Sequence, residues 1–298
     1  MSNQDSALLG GIEAGGTKFV LAVGPSPDRI TARHAIPTRS PAETLAEAAA
    51  WFAAQQPIRA LGIASFGPVE LDTSCPNWGR ITNTPKAGWA QCDIVGHFAR
   101  KLGVPVGFDT DVNGAALAEH VLGAGKGRSS LAYVTVGTGI GGGLVSEGRV
   151  IHGAAHPEIG HVYPRRAPGD DHFAGLCPHH GDCLEGLASG LAIAARWGAS
   201  LSQLPADHPA HGIVADYLGQ LCHTVFATTA SEIVVLGGGV MQTPGLIERV
   251  RQRCAELGAG YLPASARHQI VLPGLDQNSG ICGALLLGAN NLEQTAAP

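Results

Sequence analysis

The stretch LLGGIEAGGTKFVLAVG, residues 8–24, indicates two short β-strands joined by a glycine turn. Apolar residues lie on both sides of the pair Gly15–Gly16. A second turn at Pro25–Asp28 leads to a third apolar run at Ile30–Ile36. Short apolar runs separated by glycine and proline are typical of antiparallel strands. The start of the chain therefore predicts a three-stranded meander.

The second half of the chain repeats this arrangement. We predict strands at Leu131–Val136, Gly143–Val145 and Arg149–Ile151, with a glycine turn between the first two. After each meander the pattern predicts helices and further strands. The predicted helices are at 41–55, 92–102, 112–122, 184–197, 211–229, 244–257 and 280–290. The predicted strands are at 58–66, 104–108, 233–236 and 269–272. Two such halves predict an internally duplicated α/β protein with mixed sheets and a cleft between two lobes. We expect the lobes to be residues 1–122 and 123–298, with the last helix, about 280–298, packing back on the first lobe.

Composition excludes several classes of protein. The chain has 298 residues, 45% of them hydrophobic and 14% charged, with a net charge of -5 and no basic stripe, so nucleic acid is not an expected partner. No apolar run approaches the roughly 20 residues that span a bilayer. Met1–Ser6 lacks the basic and apolar regions of an export signal. We therefore expect a cytoplasmic protein without membrane contact, whose seven cysteines are reduced or bound to metal.

Three glycine turns are candidates for nucleotide contact. The turn at Gly15–Lys18 is not a Walker A loop, because the lysine follows the threonine and a strand comes next. The turn at Val136–Gly142 matches the dinucleotide pattern G-x-G-x-x-G, but a strand follows it instead of the required helix, so we reject a nicotinamide site. The third turn, Leu236–Met241, follows an apolar strand, and its bare backbone would allow adenine or ribose to lie close.

Six motifs together resemble the ROK sugar kinases, within the actin-like ATPase (ribonuclease H-like) superfamily. They lie in the same order as in that family, at Gly11–Lys18, Asp111–Asn113, Gly137–Gly139, Glu158–His161, Cys177–Glu185 and Gly237–Gly239. Three features resemble the family's bacterial fructokinase branch: Glu13 in place of aspartate, the sequence His156-Pro157-Glu158, and the loop Cys177–Cys183. The resemblance implies an ATP-dependent hexose kinase that acts on the 6-hydroxyl of D-fructose, and a homodimer.

The resemblance also implies roles for individual residues. It assigns ATP contacts to Gly15, Gly16, Thr17, Lys18, Gly137, Thr138, Gly139, Gly237, Gly238, Gly239 and Val240. It assigns sugar contacts to Asn113, Glu158, His161 and Glu185. Glu13 would hold Mg²⁺ through water, although the longer side chain changes where the ion would lie. Glu158 as a surface carboxylate and Glu185 as an ordinary first-turn acid of a helix are the alternatives for those two residues.

Phosphoryl transfer also needs a carboxylate to accept the proton of the sugar hydroxyl. Asp111 follows a predicted strand and starts a predicted helix, a common place for active residues in α/β folds. Aspartate at such a position is also a frequent helix cap, and Asp109 has an equal claim to that role. Spacing does not choose between the two. The family pattern D-x-N falls on Asp111 and Asn113, which implies that Asp111 is the base.

Two cysteines and two histidines form a candidate metal site. Cys177, His180 and Cys183 are three positions apart in a loop with proline and glycine, and His161 precedes them. Two thiolates and two imidazoles suit a structural Zn²⁺. His179 competes with His180 as the ligand, and the resemblance favours His180. The alternatives are a reactive thiol pair or a polar surface loop.

Two other functions remain as alternatives. A kinase for mannose, glucose or an N-acetylated amino sugar would carry the same motifs, because spacing does not resolve hydroxyl geometry. A sugar-sensing repressor of the same family would carry a helix-turn-helix segment before the first strand. The first strand begins near Leu8, which leaves no room for that segment in this sequence.

Overall fold

A computed structural model describes residues 7–55 and 57–296. Met1–Ser6, where the sequence shows no export signal, lies outside the described residues. The chain forms two compact units. Of the described residues, the first unit contains those up to Ala118, together with His152–His156 and those from Gln277 onward. The second unit contains Glu119–Ile151 and Pro157–Asp276.

The sheet of the first unit has the strand order β3-β2-β1-β4-β5. Its strands are β1 (Leu8–Ala14), β2 (Lys18–Gly24), β3 (Ala32–Pro37), β4 (Ile58–Ser65) and β5 (Val106–Thr110). β1 to β3 form the expected antiparallel meander, and β4 and β5 continue the sheet in parallel with β1. The glycine turn of residues 15–17 joins β1 to β2, in agreement with the prediction from the sequence.

The sheet of the second unit has the same arrangement, β8-β7-β6-β9-β10. Its strands are β6 (Ser130–Val136), β7 (Ile140–Ser146), β8 (Arg149–Val150), β9 (Ile233–Gly237) and β10 (Gln269–Val271). Again three antiparallel strands are followed by two that run parallel to the first. The predicted pair of duplicated mixed sheets is therefore confirmed.

Helices connect and cover the strands. They are α1 (Pro41–Ala53), α2 (Ile94–Leu102), α3 (Asp111–Val121), α4 (Leu184–Ala188), α5 (Gly190–Trp197), α6 (Ala210–Thr229), α7 (Leu246–Gly258) and α8 (Ser279–Ala296). The single helix that we predicted at 184–197 is wrong, because Ser189 adopts an extended backbone and separates α4 from α5. Its hydroxyl accepts a hydrogen bond from the Ala192 amide at 3.2 Å and so caps the new helix. Within the described ranges, every helix is too short or too polar to span a lipid bilayer.

Helix α8 completes the core of the first unit. Its residues Ile281, Ala284 and Leu285 are buried against apolar side chains of β1, β2 and β4. The helix lies directly on the backbone of β4: a Cβ atom at Gly62 would stand 1.7 Å from the Ala284 carbonyl oxygen. Only glycine permits this approach, so Gly62 fixes how closely the last helix packs.

Candidate active site and metal cluster

Asp111, the expected base, is the first residue of α3. It is partly buried, and its carboxylate accepts a hydrogen bond from the Val112 amide at 2.9 Å. The helix is capped by Thr110 instead, whose hydroxyl accepts from the Asn113 amide at 3.1 Å. The capping role that the sequence left open for both aspartates therefore belongs to Thr110.

Asp109 lies inside β5 and is only 3% exposed. One carboxylate oxygen accepts hydrogen bonds from the Thr110 amide and from Asn113 Nδ2, both at 2.7 Å. The other oxygen lies 2.9 Å from Nε2 of His152. This hydrogen bond raises the pKa of His152 above its ordinary value, although partial burial of the ring opposes the shift. The carboxylate is thus the centre of a small polar network.

Asn113 belongs to the same network and is fully buried. Its amide nitrogen donates to Asp109, and its amide oxygen has no hydrogen-bond partner among the described residues. A direct contact with a sugar hydroxyl, as expected from the sequence, would require this side chain to become accessible. The Asn113 contact therefore stays a prediction.

The first glycine turn is closed by backbone hydrogen bonds. The Gly15 amide donates to the Lys18 carbonyl at 3.0 Å, and the Thr38 hydroxyl donates to the Gly15 carbonyl at 2.7 Å. Gly16, Thr17 and Lys18 are exposed, which leaves the tip of the turn accessible.

Glu13 lies two residues before Gly15, near the end of β1. Its carboxyl group is placed against the start of α8, because a Cβ atom at Gly280 would stand 2.5 Å from the carboxyl carbon. Burial raises the pKa of Glu13, and the positive charges of Arg33 and Lys18 oppose the shift. A further cation beside this carboxylate would favour its charged form in the same way.

The second glycine turn is held by residues of α4 and α5. The Gly137 amide donates to the Gly139 carbonyl at 2.9 Å, and the Gly190 amide donates to the Gly137 carbonyl at 2.7 Å. A carboxylate oxygen of Glu185 accepts from the Ile140 amide at 2.9 Å. The structure thus brings Glu185, which was expected to bind sugar, to the base of this turn. Thr138 at its tip is exposed.

The third glycine turn, after β9, requires glycine at one position. Gly238 has a φ of +92°, and a Cβ atom there would stand 2.4 Å from the Val136 carbonyl oxygen. Gly237 is buried, whereas Gly239 is exposed and has open space around it. The turn therefore presents bare backbone at its tip, as the sequence indicated.

The four expected metal ligands converge in the second unit. The ligand atoms of His161, Cys177, His180 and Cys183 all lie within 4.8 Å of one another. His161 Nδ1 lies 3.3 Å from His180 Nδ1, 3.5 Å from Cys183 Sγ and 3.8 Å from Cys177 Sγ, and Cys177 Sγ lies 3.6 Å from His180 Nδ1. The four side chains could therefore hold one metal ion.

Local backbone structure explains why these ligands meet. Paired hydrogen bonds between Cys177 and Gly181 fold the loop into a tight turn. The Leu184 amide donates to the Val162 carbonyl at 2.8 Å, which places Cys183 beside His161. His179 is exposed and its ring lies beside His180, outside the group of four. Glu158 approaches the far nitrogen of His161, with Oε2 3.9 Å from Nε2.

Two histidines beside these residues were not identified from the sequence as site residues. His152 contacts Asp109, and Nε2 of His156 accepts from the Val69 amide at 3.2 Å. His156 belongs to a quoted motif, but nothing in the motif indicates Val69. His152 lies 43 positions from Asp109, so no spacing rule could connect them.

Comparison with known proteins agrees with this fold and these motifs. Residues 9–291 match the ROK family, and the chain belongs to that family. It is 47% identical to a fructokinase of Zymomonas mobilis, over 96% of this chain and 99% of the relative, and 41% identical to a fructokinase of Pediococcus pentosaceus, over 94% and 97%. The crystal structure of a ROK hexokinase from Thermus thermophilus superimposes with a TM-score of 0.79 at 26% identity, over 96% of this chain and 99% of that one. The expected family and the actin-like ATPase fold are confirmed.

Proposed function

We propose that the chain is an ATP-dependent fructokinase that transfers the γ-phosphoryl group of ATP to the 6-hydroxyl of D-fructose. The observation that carries the proposal is the likeness to fructokinases over nearly the whole length of both chains. Glu13, the motif beginning at His156 and the loop Cys177–Cys183 support it, because each resembles the fructokinase branch of the family. The products are fructose 6-phosphate and ADP.

Asp111 is the proposed base of this reaction. Because Thr110 caps α3, the Asp111 carboxylate is not needed for that purpose. It accepts the proton of the 6-hydroxyl while the sugar oxygen forms its bond to the γ-phosphorus and the bond from that phosphorus to the bridging oxygen of ADP breaks. Asp109 is a poorer candidate, because it is only 3% exposed whereas Asp111 is partly buried.

The glycine turns are the proposed ATP contacts. In the first unit, the exposed Gly16, Thr17 and Lys18 would contact phosphate oxygens, together with Gly15. In the second unit, the same role falls to the turn around Thr138, and Gly237–Val240 would contact the adenosine. Glycine turns suit this role because backbone N–H groups can approach an anion without side chains between them. The exposure of the turn tips supports the assignment.

The proposed sugar contacts are Asn113, Glu158, His161 and Glu185. His161 can serve both metal and sugar because its two ring nitrogens point to different partners. Nδ1 faces the cysteines, whereas Nε2 faces Glu158. Glu185 has one carboxylate oxygen on the Ile140 amide, so it would orient the second glycine turn as well as the sugar.

Zinc is the metal that fits the Cys/His group. A tetrahedral zinc ion has bonds of about 2.3 Å to sulfur and about 2.0–2.1 Å to nitrogen, so two nitrogens stand about 3.3 Å apart and a nitrogen and a sulfur about 3.6 Å apart. Four of the six separations are 3.3 Å between the two nitrogens and 3.5–3.8 Å between nitrogen and sulfur, which is close to these values, and all six are within 4.8 Å. The zinc would hold the loop that leads into α4 and Glu185.

A magnesium ion bound with ATP is the second proposed metal. Mg²⁺ keeps several waters and takes one or two carboxylates together with substrate phosphates. Glu13 offers one such carboxylate next to the first glycine turn. The ion would supply positive charge to the phosphate oxygens during transfer.

Location in the cytoplasm and assembly as a homodimer complete the proposal. None of the seven cysteines, all of which are among the described residues, forms a disulfide, which suits a reducing compartment. The homodimer is expected from the family alone. Nucleic acid and membranes are not expected partners.

A sugar panel tests the function. Release of ADP is measured with fructose, mannose, glucose and N-acetylmannosamine under matched conditions, and we expect kcat/KM to be highest for fructose. If another hexose exceeds fructose by tenfold or more, the fructokinase assignment fails and a hexose kinase of different specificity remains. Binding of fructose without any release of ADP would indicate a sugar-sensing protein instead.

A further inference from the structure

His152 forms a pair with a buried carboxylate in the first unit. Its Nε2 lies 2.9 Å from Asp109 Oδ2, while the side chain of Asp109 is 5% exposed and the side chain of His152 is 40% exposed. An aspartate buried to this degree needs hydrogen-bond donors for both oxygens. The backbone amide of Thr110 and the side-chain amide of Asn113 donate to one oxygen, and Nε2 of His152 donates to the other.

The hydrogen bond to Asp109 fixes the ring of His152. Because a carboxylate only accepts hydrogen bonds, Nε2 must carry the proton. The opposite nitrogen, Nδ1, is then an acceptor in the neutral ring and a donor in the charged ring. No hydrogen bond of Nδ1 is found among the described residues, and the ring is partly open to solvent. One nitrogen is thus anchored, and the other is presented outward.

The residues that His152 approaches flank the proposed base in the sequence. Asp109 and Asn113 are two residues before and two residues after Asp111, and His152 contacts Asp109 and approaches Asn113 Nδ2 at 3.4 Å. The amide oxygen of Asn113 is buried without a partner among the described residues. The network around the base therefore lacks at least one hydrogen-bond donor.

We infer that His152 is a sugar-contacting residue, whose Nδ1 forms a hydrogen bond with a hydroxyl group of the hexose, and that Asp109 is the positioning residue that fixes its ring. A sugar hydroxyl suits this nitrogen because it donates and accepts equally well. The inference rests on the proposed function, since it names a further contact for the same substrate. It gives Asp109 a purpose that neither capping nor proton transfer provides.

Two substitutions separate the two nitrogens of the ring. The amide nitrogen of glutamine lies as many bonds from Cβ as Nε2 does, so His152→Gln keeps a donor for Asp109 and removes Nδ1. The amide of asparagine matches Nδ1 instead, so His152→Asn removes the donor for Asp109. At about pH 8 we expect His152→Gln to melt like the wild type, yet to raise KM for fructose about five- to tenfold with KM for ATP unchanged. His152→Asn should melt earlier.

A purely structural His152 would give a different result. In that case the donor kept in His152→Gln would restore both stability and sugar affinity, and a rise in the fructose KM below about threefold would overturn the inference. His34→Gln is the matched control, since His34 is an exposed histidine on β3 of the same unit. We expect it to leave both KM values unchanged.

A spectroscopic measurement tests the contact without turnover. In ¹H–¹⁵N spectra of the histidine rings, the Nδ1 signal of His152 is identified by its absence in His152→Gln. We expect this signal to shift when fructose is added without ATP. A signal that does not shift would contradict the inference. The kinetics are repeated on whichever hexose the wild type uses fastest. If His152→Gln raises KM for another hexose and the wild type does not use fructose, the fructokinase proposal is overturned and the inference about His152 stands. If the wild type phosphorylates no hexose, both the proposed function and the inference are overturned.

Discussion

The two units have the same sheet topology, but the glycine turn that joins the first two strands is supported differently in each unit. In each unit an antiparallel meander is followed by two parallel strands, and the turn lies between the first two strands. The turn after β1 is closed by hydrogen bonds of its own hairpin and of Thr38. The turn after β6 depends on Glu185 and Gly190, which lie about 50 residues further along the chain.

This difference shows how a duplicated fold can specialise. The strand pairing that forms both turns is unchanged, so each turn keeps its place at the end of a hairpin. The second turn is linked to the candidate metal loop Cys177–Cys183, because Cys183 precedes α4 and Glu185 is in the first turn of that helix. In contrast, the acid pair Asp109 and Asp111 occurs only at the end of β5. The equivalent strand β10 ends in Val271 and carries no carboxylate.

The largest effect is expected from removing the acid that distinguishes β5 from β10. Asp111→Asn should reduce kcat at least about 10²–10⁴-fold, because the amide cannot accept the hydroxyl proton, while ATP still binds. Turnover and ATP binding are measured separately. The matched control is Asp276→Asn, an exposed acid that follows β10 in the chain. Near-normal turnover of Asp111→Asn would remove Asp111 from the mechanism.

The next effect concerns the candidate metal loop Cys177–Cys183, which lies in the second unit. We expect about one zinc per chain, lost in Cys177→Ser and Cys183→Ser, and a lower Tm because the bound metal no longer stabilises the folded state. Each kcal/mol lost lowers Tm by about 2–4 °C for a protein unit of this size. KM for ATP should rise as well, since α4 supports the second glycine turn.

Cys75→Ser is the control for this experiment, because Cys75 lies in the first unit and outside the cluster. It should keep the zinc and the Tm of the wild type. A purified chain without zinc whose Tm equals that of the serine variants would contradict the metal assignment.

The smallest effect is a pH dependence that belongs to the first unit. The hydrogen bond to Asp109 raises the pKa of His152 in the folded chain above the unfolded value of about 6.5. The extra stability is therefore fully present below about pH 6.5 and is lost as the pH rises through the higher folded pKa. The Tm advantage of the wild type over His152→Gln should be larger at about pH 5.5 than at pH 8. An advantage that grows with pH would have the wrong sign.

Sequence reasoning succeeded where a local rule applies. Apolar runs and glycine turns predicted the two meanders, and the spacing of the cysteines placed Cys177 and Cys183 in one cluster. The choice of His180 over His179 came from the resemblance to the family. It failed where a contact joins distant segments. Neither the hydrogen bond from Ile140 to Glu185 nor the one from His152 to Asp109 has a local pattern, since each depends on how helices and strands pack. The break at Ser189 was missed because the alanines on both sides of it favour a helix.

Helix α8 determines the order in which the chain can finish folding during synthesis. The ribosome makes β1, β2 and β4 first, but the apolar surface that these strands bury under Ile281, Ala284 and Leu285 stays uncovered until the last helix emerges. The second unit, which ends at Asp276, has all of its residues before α8 is made. The first unit is therefore the last to complete its core, although its strands are made first. For most of translation, the uncovered face of its sheet is the surface that a chaperone would have to shield.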